Sequence, residues 1–351
     1  MSTDYPFDSP PERRATVHAH LWRQFFVTPP PIRDVDLKGE TAIVTGSNAG
    51  LGFECAHQLL DLGLSKLILA VRSDLKGQRA KAKLSSGRQL QDGAIEVWNL
   101  DLLSYDSITA FAERAKTLQR LNIAVLNASV FKQKYEVARP APSTSHEESI
   151  QVNVISNLLL SILLLPSLRP KAPSDSPGRL VVVSSDVASW SKFTGTDGAE
   201  PLFSTFDKPE PFDFWDRYCI SKLLSQLMIS ELAKRVHPSI VIITMPNPGL
   251  TYGTSLGRLP GWNPGDYIGD VLKYIFGRSA TLGARTIVAG AVKFGSNAHG
   301  QYIEDGKLEP LAPFTYKPEG NHVARLLWNE VMVELSFAGV ESILDEFSAP
   351  S

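Results

Sequence analysis

Short apolar runs rich in β-branched residues alternate with helical stretches along this chain, and that alternation constrains the fold more than any other feature. The runs are TAIVTG (41–46), KLILAVR (66–72), AIEVWNLD (94–101), IAVLNAS (123–129), RLVVVSS (179–185) and IVIITMPNP (240–248). Near-continuous apolar strands of this kind belong to parallel sheets buried on both faces. Between them the spacing predicts helices over 51–63, 75–85, 104–119, 145–168 and 214–235. Regular β-α alternation predicts an α/β fold, a single doubly wound parallel sheet with helices on both faces. The expected organisation is an N-terminal extension over 1–38, one domain over 39–312 and a helical C-terminal extension over 313–351.

The segment TGSNAGLG (45–52) joins the first strand to the first helix. Gly46, Gly50 and Gly52 are spaced G-x-x-x-G-x-G, with Ser47, Asn48 and Leu51 among them. Glycines there allow a tight turn and close backbone approach, while the helix N-terminus offers free N–H groups to a pyrophosphate. No Gly-Lys-Ser/Thr follows, which excludes the phosphate loop of nucleotide hydrolases. A dinucleotide is the expected ligand. After the second strand stands AVRSD, with Arg72 before the first carboxylate, Asp74. An arginine there favours the 2′-phosphate of NADP (NADPH), which its fork of N–H donors can pair. The alternative leaves Arg72 solvated and lets Asp74 bind the ribose.

The formal net charge of −2 points to no nucleic acid or anionic membrane as partner. Two cysteines, Cys55 and Cys219, cannot build a disulfide framework, so a reducing, cytoplasmic setting is expected. Cys219 reads as a packing residue. The N-terminal MSTDYPFDSPPERR lacks the apolar core of a signal peptide. LLLSILLLPSL (158–168) is too short for a membrane span and holds Pro166, so it reads as a buried helix. The histidines show no metal-ligand spacing, and no metal is expected. LWRQFFVTPPPI (21–32) reads as a short amphipathic helix stopped by its prolines, either packed on the body or touching a membrane surface or partner.

YCISK (218–222) places Tyr218 and Lys222 four apart, on one face of a predicted helix, where phenol and ammonium can act as one acid–base unit. Such a pair also arises by chance, so its surroundings decide. With the glycine turn, the chain resembles the short-chain dehydrogenase/reductase family over residues 38–310, which implies a Rossmann-type sheet. The other matches follow in the family's order. Asp101 and Leu102 follow the third strand, Asn127 opens Asn-Ala-Ser after the fourth, and Asn153 sits in the next helix. Ser185 closes the fifth strand, and Pro248 and Gly249 form the turn after the sixth. Three departures stand out. Ser129 replaces a glycine, Thr254 arrives one position late, and Ser185 and Tyr218 are 33 positions apart (218 − 185), wider than in compact members. The resemblance is nearest to retinol-dehydrogenase-like members and to fungal reductases that tailor natural products.

The resemblance implies an NADP-dependent oxidoreductase interconverting a ketone and a secondary alcohol. Tyr218 would be the acid/base, Ser185 would hydrogen-bond the reacting oxygen, Lys222 would hold the ribose, and Asn153 would link Lys222 to solvent through water. Gly46, Ser47, Asn48, Gly50, Leu51, Gly52, Arg72, Asp101, Leu102, Asn127, Pro248, Gly249 and Thr254 would contact cofactor. The insertion at 186–213 and the loop at 250–280 would shape the substrate pocket. Their aromatics Phe203, Phe206, Trp262 and Tyr267 either take a large apolar substrate or pin the loops. Two other readings stay open: a same-fold enzyme doing dehydration or cyclisation with bound cofactor, and a non-catalytic dinucleotide sensor. The chain is expected to be a monomer or a homodimer, with a small carbonyl or alcohol as its partner.

Overall fold

Every apolar run becomes a strand, with ends trimmed by a few residues. The computed structural model describes residues 7–138, 146–172, 175–196, 200–254 and 276–348. The first six strands are β1 (Thr41–Thr45), β2 (Lys66–Val71), β3 (Ile95–Asn99), β4 (Ile123–Leu126), β5 (Gly178–Val182) and β6 (Val241–Asn247). A small pair, β7 (Thr251–Tyr252) and β8 (Arg278–Ser279), stands apart. Two further strands, β9 (Gln301–Glu304) and β10 (Lys307–Glu309), extend the main sheet. Its order is β10-β9-β6-β5-β4-β1-β2-β3, parallel throughout except for β10, which runs antiparallel to β9. The expected doubly wound sheet is present. Sequence reading missed β9 and β10 because they are short and polar at several positions.

The helices in chain order are α1 (Pro11–Arg14), α2 (Val17–Phe26), α3 (Gly50–Asp61), α4 (Asp74–Ser85), α5 (Tyr105–Lys116), α6 (Glu148–Ile150) and α7 (Asn157–Leu168). They continue with α8 (Leu202–Phe206), α9 (Phe214–Ala233), α10 (Ala280–Val292), α11 (Pro318–Glu334) and α12 (Val340–Asp345). On one face of the sheet, Leu59 of α3 and Ile287 and Val288 of α10 pack against Val44, Leu67 and Val125. On the other, Ile108 of α5, Leu159 of α7 and Leu224 of α9 cover Ile43, Ala124 and Leu180. The C-terminal helices α11 and α12 join this second core through Val323, Leu327 and Val340.

The helix expected over 145–168 is broken in kind. Residues Gln151–Ser156 form a π-helical turn between α6 and α7. Such turns insert an extra residue and re-aim the side chains around them. Glu148–Leu168 is long and apolar enough to cross a membrane, but 94% of its apolar window is buried inside the protein. A helix apolar on every side is a central core helix.

Helix α2 begins at Val17, earlier than expected, with Thr16 capping Ala19 N–H at 3.2 Å, and ends before the prolines. It packs on the body, but its amphipathicity is reversed. His20, Arg23 and Gln24 are buried, while Trp22, Phe25 and Phe26 are 60%, 50% and 73% exposed.

Candidate active site

The site is assembled at the C-terminal ends of β1, β4 and β5. At β1 the chain turns through Gly46, whose N–H donates to Ala70 O at 2.9 Å, and then Gly50 at φ +57°. A Cβ on Gly52 would lie 2.6 Å from Gly46 O and from Asn127 Nδ2, so any side chain there would force the turn apart. Asn127 fastens β4 to this turn. Its N–H donates to Thr45 Oγ1 at 2.9 Å and its amide to Thr45 O at 3.0 Å. The Ser47 hydroxyl is buried at the turn with no protein partner. An orphaned buried donor beside free helix N–H groups suits an oxygen-rich ligand such as a phosphate.

Arg72 leaves the end of β2 exposed, and its guanidinium has no partner among the described residues. Asp74 is turned into α4, where its carboxylate accepts from Gln78 Nε2 at 3.2 Å. Asp101 likewise serves its own loop, accepting from Leu103 N at 3.0 Å. Leu102 is buried, and its carbonyl accepts from Ser156 Oγ at 2.6 Å. Thr254 lies over the glycine turn: its Cα is 3.2 Å from where a Gly50 Cβ would sit. Pro248 and Gly249 follow β6, with Gly249 N donating to Asn247 Oδ1 at 3.0 Å.

Helix α9 carries Tyr218 and Lys222. Asp213 caps it, accepting from Trp215 N and Asp216 N at 3.1 Å. Tyr218 and Lys222 are 8% and 5% exposed, and Lys222 Nζ lies 5.8 Å from the centre of the Tyr218 ring. Lys222 donates to Val183 O at 3.3 Å, and burial pulls its pKa down to about 8. Burial pushes the Tyr218 phenol up, and the Asp186 carboxylate adds to this, while the Ser129 hydroxyl pulls the other way. The chain alone therefore keeps Tyr218 neutral at physiological pH, the form that donates a proton.

Ser185 opens the 3₁₀ turn Asp186–Trp190, its Oγ accepting from Val187 N at 3.4 Å. Gln226, four residues past Lys222, donates to Ser184 Oγ at 3.1 Å and to Ser185 O at 3.4 Å, which binds this turn to α9. Asn153 sits in the π turn, 2% exposed. Its Oδ1 accepts from Ser129 Oγ at 2.8 Å and Val130 N at 2.9 Å. Its Nδ2 donates to Val130 O at 2.9 Å and Ser221 Oγ at 3.0 Å. The amide is fully used by protein. The side-chain amide clamps the Ser129 loop to α9.

Sequence reasoning missed several residues around Tyr218. Phe131 meets the Tyr218 ring edge-on at 5.0 Å, and Phe214 and Trp215 lie 5.8 and 6.2 Å from Phe131. Trp190 stacks 6.4 Å from Trp215. Phe214 and Trp215 are 44% and 43% exposed, forming an aromatic approach to the phenol. Phe131 follows Ser129 by two positions, and Phe214 and Trp215 precede Tyr218 on its own helix; this proximity was the available signal. Phe203 and Phe206, by contrast, are 5% and 3% exposed in the core, where Phe203 meets His146 at 4.8 Å and Arg217 lies 5.3 Å over Phe206. They pin the insertion. Trp262 and Tyr267 lie outside the described residues.

A parallel sheet whose strand order reverses between β1 and β4, with a glycine turn at that switch point, is the architecture of a dinucleotide-binding enzyme. The chain belongs to the short-chain dehydrogenase family, oxidoreductases that use nicotinamide cofactors. Residues 40–196 match the family described as short chain dehydrogenase. The chain is 48% identical over 348 residues to the short-chain dehydrogenase fogG of Aspergillus ruber, covering 97% of this chain and 99% of that one. It is 40% identical over 319 residues to the short chain dehydrogenase/reductase mfmJ of Annulohypoxylon moriforme, covering 90% of each. Among solved structures, a putative NAD(P) dependent gluconate 5-dehydrogenase from Beutenbergia cavernae with bound NADP superposes with a TM-score of 0.54 at 18% identity, covering 77% of this chain and 96% of that one. At that identity the likeness speaks for the fold.

Proposed function

We propose that the protein is an NADPH-dependent reductase interconverting a ketone and a secondary alcohol on a bulky apolar substrate of polyketide or terpenoid type. The observation that carries this reading is the Tyr218–Lys222 pair, buried on one face of α9 beside the Ser185 turn. Tyr218 gives its proton to the carbonyl oxygen, and the Ser185 hydroxyl hydrogen-bonds the same oxygen as it gains charge. Lys222 keeps positive charge near the phenol and holds the cofactor ribose. Asn153 fixes the Ser129–Val130 loop against Ser221, so the phenol meets a rigid wall. NADPH, when bound, supplies the hydride. Gly46, Ser47, Asn48, Gly50, Leu51 and Gly52 would cradle its pyrophosphate. Asp101, Leu102, Asn127, Pro248, Gly249 and Thr254 would line the rest of the cleft.

The choice of NADPH rests on Arg72, exposed and unpartnered among the described residues, while Asp74 is engaged with Gln78. The aromatic approach of Phe131, Phe214 and Trp215 supports an apolar substrate. Of the expected monomer and homodimer we infer the monomer, because α11 and α12 cover α9 and α7, which leaves less of these helices open to a second copy. A cytoplasmic location fits two free, buried cysteines. The reading is tested by following NADPH and NADH consumption against bulky aromatic and alicyclic ketones. Turnover with NADPH is the expected result. Tight cofactor binding without reduction of any ketone would shift the assignment to non-redox chemistry or sensing.

A further inference from the structure

Helix α2 buries its polar face and exposes its aromatic one, the reverse of a helix that merely covers a core. Its buried side chains reach two places. Gln24 Nε2 donates to Leu250 O at 2.7 Å, and Leu250 N donates back to Gln24 Oε1 at 3.2 Å. One amide side chain thus pairs both backbone groups of Leu250, as a neighbouring strand would. Gly249 leaves room for it: a Cβ there would fall 2.9 Å from Gln24 Oε1. At the other end His20 Nδ1 bonds the carboxylate of Asp186, and the His20 ring meets Trp190 edge-on at 5.0 Å. Trp190 Nε1 donates to Ala15 O at 2.9 Å.

The attachment is made by charge. Arg23 Nε lies 3.2 Å from Glu304, Arg14 pairs with Glu304 and with Glu309, and Glu304 also accepts from Asn247 Nδ2 at 2.9 Å. Buried ion pairs cost desolvation that apolar contacts avoid, and what they add is geometry. A segment needed only to shield the sheet edge would be held more cheaply by its own Trp22, Phe25 and Phe26.

We propose that α2 is a positioning element of the active site, with Gln24 fixing the Gly249–Leu250 loop after β6 and His20 fixing the Asp186 turn after Ser185. The two loops leave the C-terminal ends of the adjacent strands β5 and β6, and the extension ties both to one rigid rod. This inference rests on the reading of the cleft as an NADPH and carbonyl site. Gln24 acts on the cofactor side, through Leu250 and its neighbours Pro248 and Gly249. His20 acts on the Ser185 side.

The test uses the full chain and separates binding from turnover. Gln24→Ala leaves Leu250 N unpaired and Leu250 O held only by Arg278 N, and NADPH affinity read by nucleotide fluorescence should fall about tenfold with kcat little changed. His20→Leu should lower kcat with NADPH affinity unchanged. His20→Asn, whose amide nitrogen falls near the position of Nδ1, should restore most of it. Phe26→Ser, on the exposed side of the same helix, serves as the control. If Gln24→Ala and His20→Leu lower only the thermal midpoint, and NADPH affinity and kcat match the control, α2 is a brace and the proposal is overturned. Should the wild type reduce no carbonyl, the functional reading fails, and the NADPH affinity of Gln24→Ala still decides for or against the clamp.

Discussion

Lys222 Nζ stands 5.8 Å from the centre of the Tyr218 ring and is tethered to Val183 O at 3.3 Å, so the ammonium is fixed one helical turn below the phenol. Both side chains are buried, and burial works against charge on each. Lys222 titrates at about 8, within reach of physiological pH. Replacing it with Ala should reduce turnover by roughly 10²–10⁴-fold, the usual worth of an acid–base partner. NADPH affinity should fall as well, since in the proposed function the same ammonium holds the ribose. In the wild type, reduction should decline as pH rises through 8, where Lys222 loses its charge. Steady-state kinetics across that range check both statements.

Ser129 stands where the family has glycine. Its hydroxyl donates to Asn153 Oδ1 at 2.8 Å beside the neutral phenol, and by turning its one proton to the phenolate it draws Tyr218 down, against burial. The titratable groups facing that phenol are Lys222 on α9 and Asp186 beyond Ser185, together with the Cys219 thiol, which burial pushes up to about 12 and so keeps neutral. Ser129→Ala should raise the pKa of Tyr218. Alcohol oxidation, which needs the phenolate, should fall near neutral pH, and its pH profile should move to the alkaline side. Superimposable profiles for the two proteins would remove Ser129 from the acid–base account.

Arg72 is the test of cofactor choice. Its guanidinium is exposed and unpartnered among the described residues, so replacing it disturbs no fold contact of that group. Arg72→Ala should raise KM for NADPH about tenfold, as expected for losing a charge-assisted phosphate contact, and leave KM for NADH unchanged. Equal effects on both cofactors would contradict the assignment.

Stability at alkaline pH should depend on His146. Burial alone would lower its pKa, but hydrogen bonds to Asp207 at 2.7 Å and Glu334 at 2.9 Å outweigh burial and hold it up to about 9. A histidine raised in the folded state contributes stability that is fully present below its unfolded pKa near 6.5 and lost as pH rises through 9. Lys222, lowered to about 8, works oppositely between 8 and its unfolded value, so only a difference measurement isolates the histidine. The thermal midpoint of the wild type should exceed that of His146→Gln most at pH 6, and the gap should close above pH 9. A gap independent of pH would mean that the histidine is neutral in the fold.

Much of this was legible in the sequence wherever local pattern and tertiary environment agree. Strands β1 to β6 are apolar on both faces because both faces are covered, so composition reports them directly. The glycine turn and the Tyr218–Lys222 pair are legible because their spacing is itself the geometry. Elements held by polar contacts escaped notice. Strand β9 ends in Glu304, a residue that argues against a buried strand until Arg14, Arg23 and Asn247 are placed around it. Helix α2 looks ready to bury Trp22 and Phe25, but it buries His20 and Gln24 because their partners, Asp186 and Leu250, lie more than 160 positions away. Phe203 and Phe206 were legible as large and apolar, but whether they face a cleft or a core depends on α11, which sequence order does not place beside them.

The most direct measurement of the central claim is isotope transfer from NADPH deuterated at the transferring position, with wild type and Tyr218→Phe side by side on a ketone that consumes cofactor. The account predicts an alcohol carrying one deuterium from the wild type, and from Tyr218→Phe unchanged NADPH affinity with almost no labelled alcohol. Product formed without deuterium, or labelled alcohol formed equally well by Tyr218→Phe, would contradict it.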